Sequence, residues 1–183
     1  VRPDAFELYD IRADFGKSSV LTNLVSIGFH NDIELKVAKS KILLSDISPL
    51  IDIPMAGQAE LAAQMTGKAN DPELTGEVKI QGFEFGGFPL GDIQRGNVRF
   101  RPLKLDLTDV HAKKGISSYL IPSARLDFER ADGASLVVDA TLKSQRFDLR
   151  DFMGMWHFEP HHAYTATVAI KAFLNCFGNR LRK

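Results

Sequence analysis

Cysteine is almost absent: Cys176 stands alone in 183 residues, and one thiol closes no internal disulfide, which excludes a small cross-linked scaffold. No run of 18 apolar residues occurs, so nothing reads as a membrane-spanning helix. Net charge is lacking as well, because 23 Lys and Arg balance 23 Asp and Glu. That balance argues against a general nucleic-acid binder, whose phosphate affinity comes from clustered cations. Polar aromatics are scarce, with one Trp and three Tyr against 13 Phe. Most of the aromatic surface therefore has no polar handle and needs an apolar place to go. The first residues, Val1-Arg2-Pro3-Asp4, hold neither an initiator Met nor a charged-then-apolar leader, and the chain reads as a fragment whose natural start lies upstream.

Strand-period alternation dominates what is present. Ile33, Leu35 and Val37 alternate with polar or small residues, and so do Leu61 and Met65 within 59–66, Val78 with Ile80, and Val98 with Phe100. After Pro102 the phase flips to Leu103, Leu105 and Leu107, which marks a turn or bulge, since one extra residue sends every side chain to the other face. Leu126 and Phe128 follow, then Leu136, Val138, Ala140 and Leu142, with Ala131-Asp132-Gly133 between them as a hairpin connection. Two patches depart from period two. Leu149, Phe152, Met153 and Trp156 fall at helical spacing, with Asp148 as N-cap and Pro160 beyond, predicting one short helix near 148–157. Ser48-Pro49-Leu50-Ile51 predicts no more than a turn, because Pro54 follows closely. No Pro-, Gly- or Ser-rich linker divides the chain, so residues 1–183 read as one all-β unit: a continuous, mainly antiparallel sheet that must fold over to hide one side.

The stretch from Ile47 to Gly82 carries Pro49-Leu50, Gly57, an alternating strand, Gly67, Asp71-Pro72, Leu74 and Gly76 in that order. It is followed by a hairpin punctuated by Gly91 and Gly96, a strand from Leu103 to Val110, a strand pair around Asp132-Gly133, and Phe147-Asp148-Leu149. This arrangement resembles the repeat unit of the AsmA-like proteins, in particular the TamB branch. The resemblance implies an elongated, mainly antiparallel, curled β-sheet, taco-shaped, with an open apolar groove. It further implies a periplasmic location in a Gram-negative envelope, an inner-membrane anchor and membrane contacts in flanking regions, and phospholipid transport with outer-membrane biogenesis as the role. Partners on this reading are a phospholipid or other acyl-chain lipid and an outer-membrane assembly partner; no nucleic acid, cofactor or catalytic residue is expected.

The groove residues expected from the alternation are Val78, Ile80, Val98, Phe100, Leu103, Leu105, Leu107, Leu126, Phe128, Leu136 and Val138. Burying an acyl chain is worth about 0.8 kcal/mol per methylene and requires no specific position, so such a role leaves no catalytic motif. The same faces would serve equally as the core of a closed β-sandwich, an adhesion or assembly module without lipid. The two readings part on whether a second sheet covers the apolar face.

Other features point to ordinary surroundings. His157, Glu159, His161 and His162 concentrate possible metal ligands, but the spacing matches no closed zinc pattern and Pro160 breaks a helix that would align them. The Gly-rich stretch Gly82–Gly91 lacks the Lys and Ser/Thr of a phosphate loop, and Phe83, Phe85 and Phe88 within it read as hydrophobic rungs. Cys176 lies among Phe173, Leu174 and Phe177, where a thiol behaves as a small hydrophobe. Arg95, Arg99, Arg101 and Lys104 form a basic run, either a solvated outer face or a rim that meets lipid phosphates.

Overall fold

The computed structural model describes residues 4–51, 53–128 and 137–153. They form nine strands: β1 (Ala5–Phe15), β2 (Ser18–Gly28), β3 (Asp32–Leu43), β4 (Met55–Lys68), β5 (Asp71–Phe85), β6 (Phe88–Arg101), β7 (Lys104–Lys114), β8 (Ser117–Asp127) and β9 (Val137–Arg146). Each strand pairs antiparallel with the next, giving one open sheet in strict chain order. Two-residue turns enforce that order at β1–β2, β4–β5, β5–β6, β6–β7 and β7–β8, since so short a connection reaches only the neighbouring antiparallel position. No second sheet lies over either face among the described residues.

Two short helices interrupt the meander, α1 (Leu44–Ile51) between β3 and β4 and α2 (Arg150–Met153) after β9. Where a turn is expected from Ser48, the chain makes an eight-residue helix that starts four residues earlier and contains Pro49. Ser48 does not cap its start; its hydroxyl accepts from the Met55 backbone N–H at 2.7 Å, tying the helix to the beginning of β4. For α2 the expected N-cap is present, because Asp148 Oδ1 accepts the Arg150 N–H at 2.9 Å. Trp156, the His cluster, Cys176, Leu136 and the Ala131-Asp132-Gly133 connection lie outside the described residues.

Burial shows how the sheet is folded. Ile53, Phe85 and Leu126 belong to one packed cluster. Phe85 sits at the β5–β6 turn, whereas the residue of β5 level with Leu126 in the sheet is Leu74. At about 3.3 Å per residue along a strand and about 4.8 Å between strands, Phe85 and Leu126 would be some 30 Å or more apart in a flat sheet. Sharing a cluster requires opposite corners to fold over the apolar face, as the cumulative right-handed twist of many strands allows.

The chain also contains a duplication. Shifted by ninety-nine residues, the β1–β2 hairpin becomes the β7–β8 hairpin, with the same residue pairing in every rung. Asp10 and Asp109 coincide at matching positive φ of 52° and 51°. The Phe29 N–H donates to the Asp4 carbonyl as the Phe128 N–H does to that of Leu103, at 2.9 and 2.8 Å.

Candidate apolar binding face

Residues directly opposite each other on neighbouring strands point to the same side of a sheet. One row of such partners runs Leu8, Val25, Leu35, Met65, Leu74, Phe100, Leu105, Leu126, one residue from each of eight strands, and reaches the Val138 backbone on β9. A second row runs Val37, Ala63, Gly76, Val98, Leu107, Ala124, Ala140. The third is Ile42, Ala59, Ile80, Ile93, Ala112, Tyr119. These rows make the face apolar along the axis perpendicular to the strands, over roughly 35 Å at the usual strand spacing.

Of the residues expected in a groove, Val78, Ile80, Val98, Phe100, Leu105, Leu107 and Leu126 are brought together on this face. Phe128, just past β8, packs with the Leu126 cluster. Leu103 stands apart: it occupies the two-residue β6–β7 turn at φ 61° and is 53% exposed. Its phase with Leu105 is accidental, because the strand starts only at Lys104. Leu136 lies outside the described residues, and Val138 is placed only by its backbone pairing with Leu126.

Cover is uneven. Over the third row, Leu44 and Ile47 of α1 and Phe152 of α2 pack down, so that Ile80, Ala112 and Tyr119 are buried. Phe152 stacks on Phe147 at 4.9 Å and meets the Tyr119 ring at 6.1 Å. The Tyr119 hydroxyl donates to the Leu90 carbonyl, and burial, with Asp92 nearby, pushes its pKa up. Lys114 lies over the Phe152 ring at 4.9 Å, and burial lowers its pKa. The first row opens by contrast at Leu8 and Phe100, 55% and 38% exposed, and closes at Leu126; beside it on the β1–β2 edge Ile27 and Phe6 reach 49% and 68%.

Both helices are held by the same clasp. Asp46 accepts the Lys17 N–H at 2.8 Å and the Ser18 hydroxyl at 2.6 Å, and Ser18 in turn accepts the Leu43 N–H. In the duplicate, Asp151 accepts the Ile116 N–H and the Ser117 hydroxyl, and Ser117 accepts the Asp148 N–H. Each clasp needs glycine in the turn: Gly16 has φ +56° and Gly115 +55°, and a Cβ on Gly16 would meet the Asp46 carboxyl at 2.6 Å. Asp46 is held below the usual carboxylate pKa by the Ser18 hydroxyl and the Lys17 N–H. Nothing in the local pattern announced the clasp; comparison of the chain with itself would have, since Gly-x-Ser-Ser recurs at 16–19 and 115–118.

The opposite face is charged and internally matched. Arg99 pairs with Glu73 at 2.6 Å, Arg125 with Asp106 at 2.7 Å and Arg95 with Asp109 at 3.3 Å. Three arginines that could meet anionic headgroups, Arg95, Arg99 and Arg101, thus have carboxylate partners on this outer face. Among the described residues no group of three or more His, Cys, Asp or Glu could hold a metal ion, and no helix there is long and apolar enough to cross a membrane. Compared with family models, curated proteins and solved structures, the chain finds no match.

Proposed function

We propose that the apolar face binds acyl chains of lipids, and that the chain is a segment of an AsmA/TamB-like envelope protein supporting phospholipid movement between membranes and outer-membrane biogenesis. The observation that carries this reading is the row from Leu8 to Leu126, apolar on each of eight strands and open to solvent at Leu8 and Phe100. A chain lying across the strands meets a similar surface at each step, so displacement by one strand exchanges like contacts for like. The attraction is non-directional, about 0.8 kcal/mol per methylene, and the headgroup stays in water at the open edge. Single-sheet architecture favours this reading over a closed sandwich, because an uncovered apolar strip is otherwise unfavourable for a monomer. No chemistry is assigned to the face, where the described residues bring no base, nucleophile and oxyanion donor together in one place.

Organic extraction of the purified protein followed by mass spectrometry tests the proposal. Co-purifying phospholipid, lost when Phe100 and Leu74 are both changed to Asp while the far-ultraviolet circular dichroism is retained, supports it. Equal lipid content in that folded double variant contradicts it.

A further inference from the structure

Three glycines draw a line across the middle of the sheet. Gly57 on β4, Gly82 on β5 and Gly91 on β6 take φ of +118°, +60° and +90°, and the strand pairings slip in register beside them. They are neighbours: a Cβ on Gly57 would meet the Gln81 and Gly82 carbonyl oxygens at 2.8 and 2.9 Å, and Gly91 is the partner of Phe83. Bulges and glycines bend a strand, and aligned on three strands they make a crease. Beyond it lies a flap formed by Ile53, Met55 and the tip of the β5–β6 hairpin, with Phe83, Phe85 and Leu90. The flap comes down on Leu105, Leu107, Leu126 and Phe128. Phe85, Ile53 and Leu126 are thereby buried, while Phe100, two strands from Leu126 in the same row, stays open. Two side chains fasten the flap to the next strands: the Tyr119 hydroxyl donates to the Leu90 carbonyl, and the Lys114 ammonium to that of Pro89. A Cβ on Gly82 or Gly87 would meet nothing within 4 Å, so packing does not wedge the bend at these points.

We propose that this flap is a lid on the apolar face: Phe85 and Ile53 stand where an acyl chain lies in the occupied state, and a lipid moving along the first row from Phe100 to Leu126 lifts the flap about the glycine crease. The inference rests on the acyl-chain reading above and adds a closed stretch to it. Opening sends little apolar surface to water, because methylenes of the entering chain take up the contacts that Phe85 and Leu126 give up to each other. The lipid binds the raised state and not the closed one, so it draws the population toward opening by that difference in affinity. The helices α1 and α2 are held otherwise, each by a carboxylate clasp, and they keep the third row covered while the flap moves.

The probe is a phosphatidylcholine with a diazirine in one acyl chain, offered in vesicles to the full chain, with adducts mapped by peptide mass spectrometry. In a Cys176→Ser background, nitroxide labels on Glu84→Cys in the flap and Ser123→Cys on β8 report the separation by double electron–electron resonance. One short separation is expected without lipid, and a second, longer one with lipid. Tyr119→Phe, which releases the Leu90 carbonyl, and Phe85→Ala, which removes the ring from the face, should each populate the longer separation without lipid. Both should raise adducts at Leu126 severalfold and leave those at Phe100 unchanged; Tyr119→Phe carries the test if Phe85→Ala does not fold. Adducts at Phe100 with a single separation that neither lipid nor Tyr119→Phe alters overturn the lid. So do equal adducts at Leu126 in wild type and variant. Absence of adducts at Phe100 as well contradicts the acyl-chain reading itself, and the separations in Tyr119→Phe then decide alone whether the flap moves.

Discussion

Ser117 donates to Asp151 at 2.6 Å, the side-chain member of a set of hydrogen bonds that joins the start of β8 to the helix that follows β9. The Ser117 side chain is fully buried, and it also accepts the Asp148 N–H at 2.8 Å. Ser117→Ala leaves the Asp148 N–H without its partner and removes one of three donors from the Asp151 carboxylate, which keeps the Ile116 and Ser117 N–H groups, a loss of about 1–3 kcal/mol. Urea unfolding of the variant checks this. A change within error of zero would mean that the Ser117 hydroxyl adds nothing to the backbone N–H contacts and the Phe152 packing that hold α2.

The glycine of each clasp is required twice over, by its positive φ and by the carboxylate pressed against it. Gly82 has a similar φ of +60° but open space where a Cβ would go. Gly82→Ala should therefore carry only the backbone penalty, about 1 kcal/mol, and Gly16→Ala clearly more. Thermal melting of the two variants side by side tests the ranking, and a reversed order would remove the clasp from the account of stability.

Stability should fall at acid pH in a definite window. The Arg150 side chain and N–H push the Asp148 pKa from its ordinary value of 3.8 down to about 2, and Ser18 with Lys17 lowers Asp46. A carboxyl whose folded pKa is depressed stabilises fully above its unfolded pKa, and that contribution disappears as pH falls through the folded value. The urea midpoint should therefore decline between about pH 4 and pH 2, with a smaller decline in Asp46→Asn. An identical decline in wild type and variant would show that Asp46 does not contribute.

Leu103 is the residue least suited to its position. It follows Pro102 in a two-residue turn and takes φ 61°, a place where glycine or asparagine is favoured. Leu103→Gly should raise stability by about 1 kcal/mol through relief of that strain, partly offset by unfolded-state entropy. Loss of stability would show that the exposed side chain makes a contact worth more than the strain.

Much of the sheet was legible because its signal is local. Val98 and Phe100, or Leu105 and Leu107, reveal a strand by their spacing alone, and the turn at Pro102 by the change of phase. Leu103 was misplaced because leucine at a positive φ has no sequence signature, so the strand after the phase change seemed to begin one residue early. Helix α1 was hidden for another reason: its first turn is secured by Ser18, twenty-eight residues away from Asp46. Local punctuation by Pro49 and Pro54 pointed to a turn instead. The candidate face was legible as a set of apolar positions, but which of them remain open depends on how α1 and α2 lie over the third row, and that is a tertiary property.

Photocrosslinking reads the central claim most directly. A photoreactive residue placed at Phe100 or Leu35, on the apolar rows, and another at Lys79, exposed on the charged face, would be irradiated with radiolabelled phospholipid in the cellular envelope or in vesicles. Acyl-chain binding predicts labelled adducts from positions 100 and 35 and none from 79. Equal labelling from all three, or labelling from 79 alone, would contradict it.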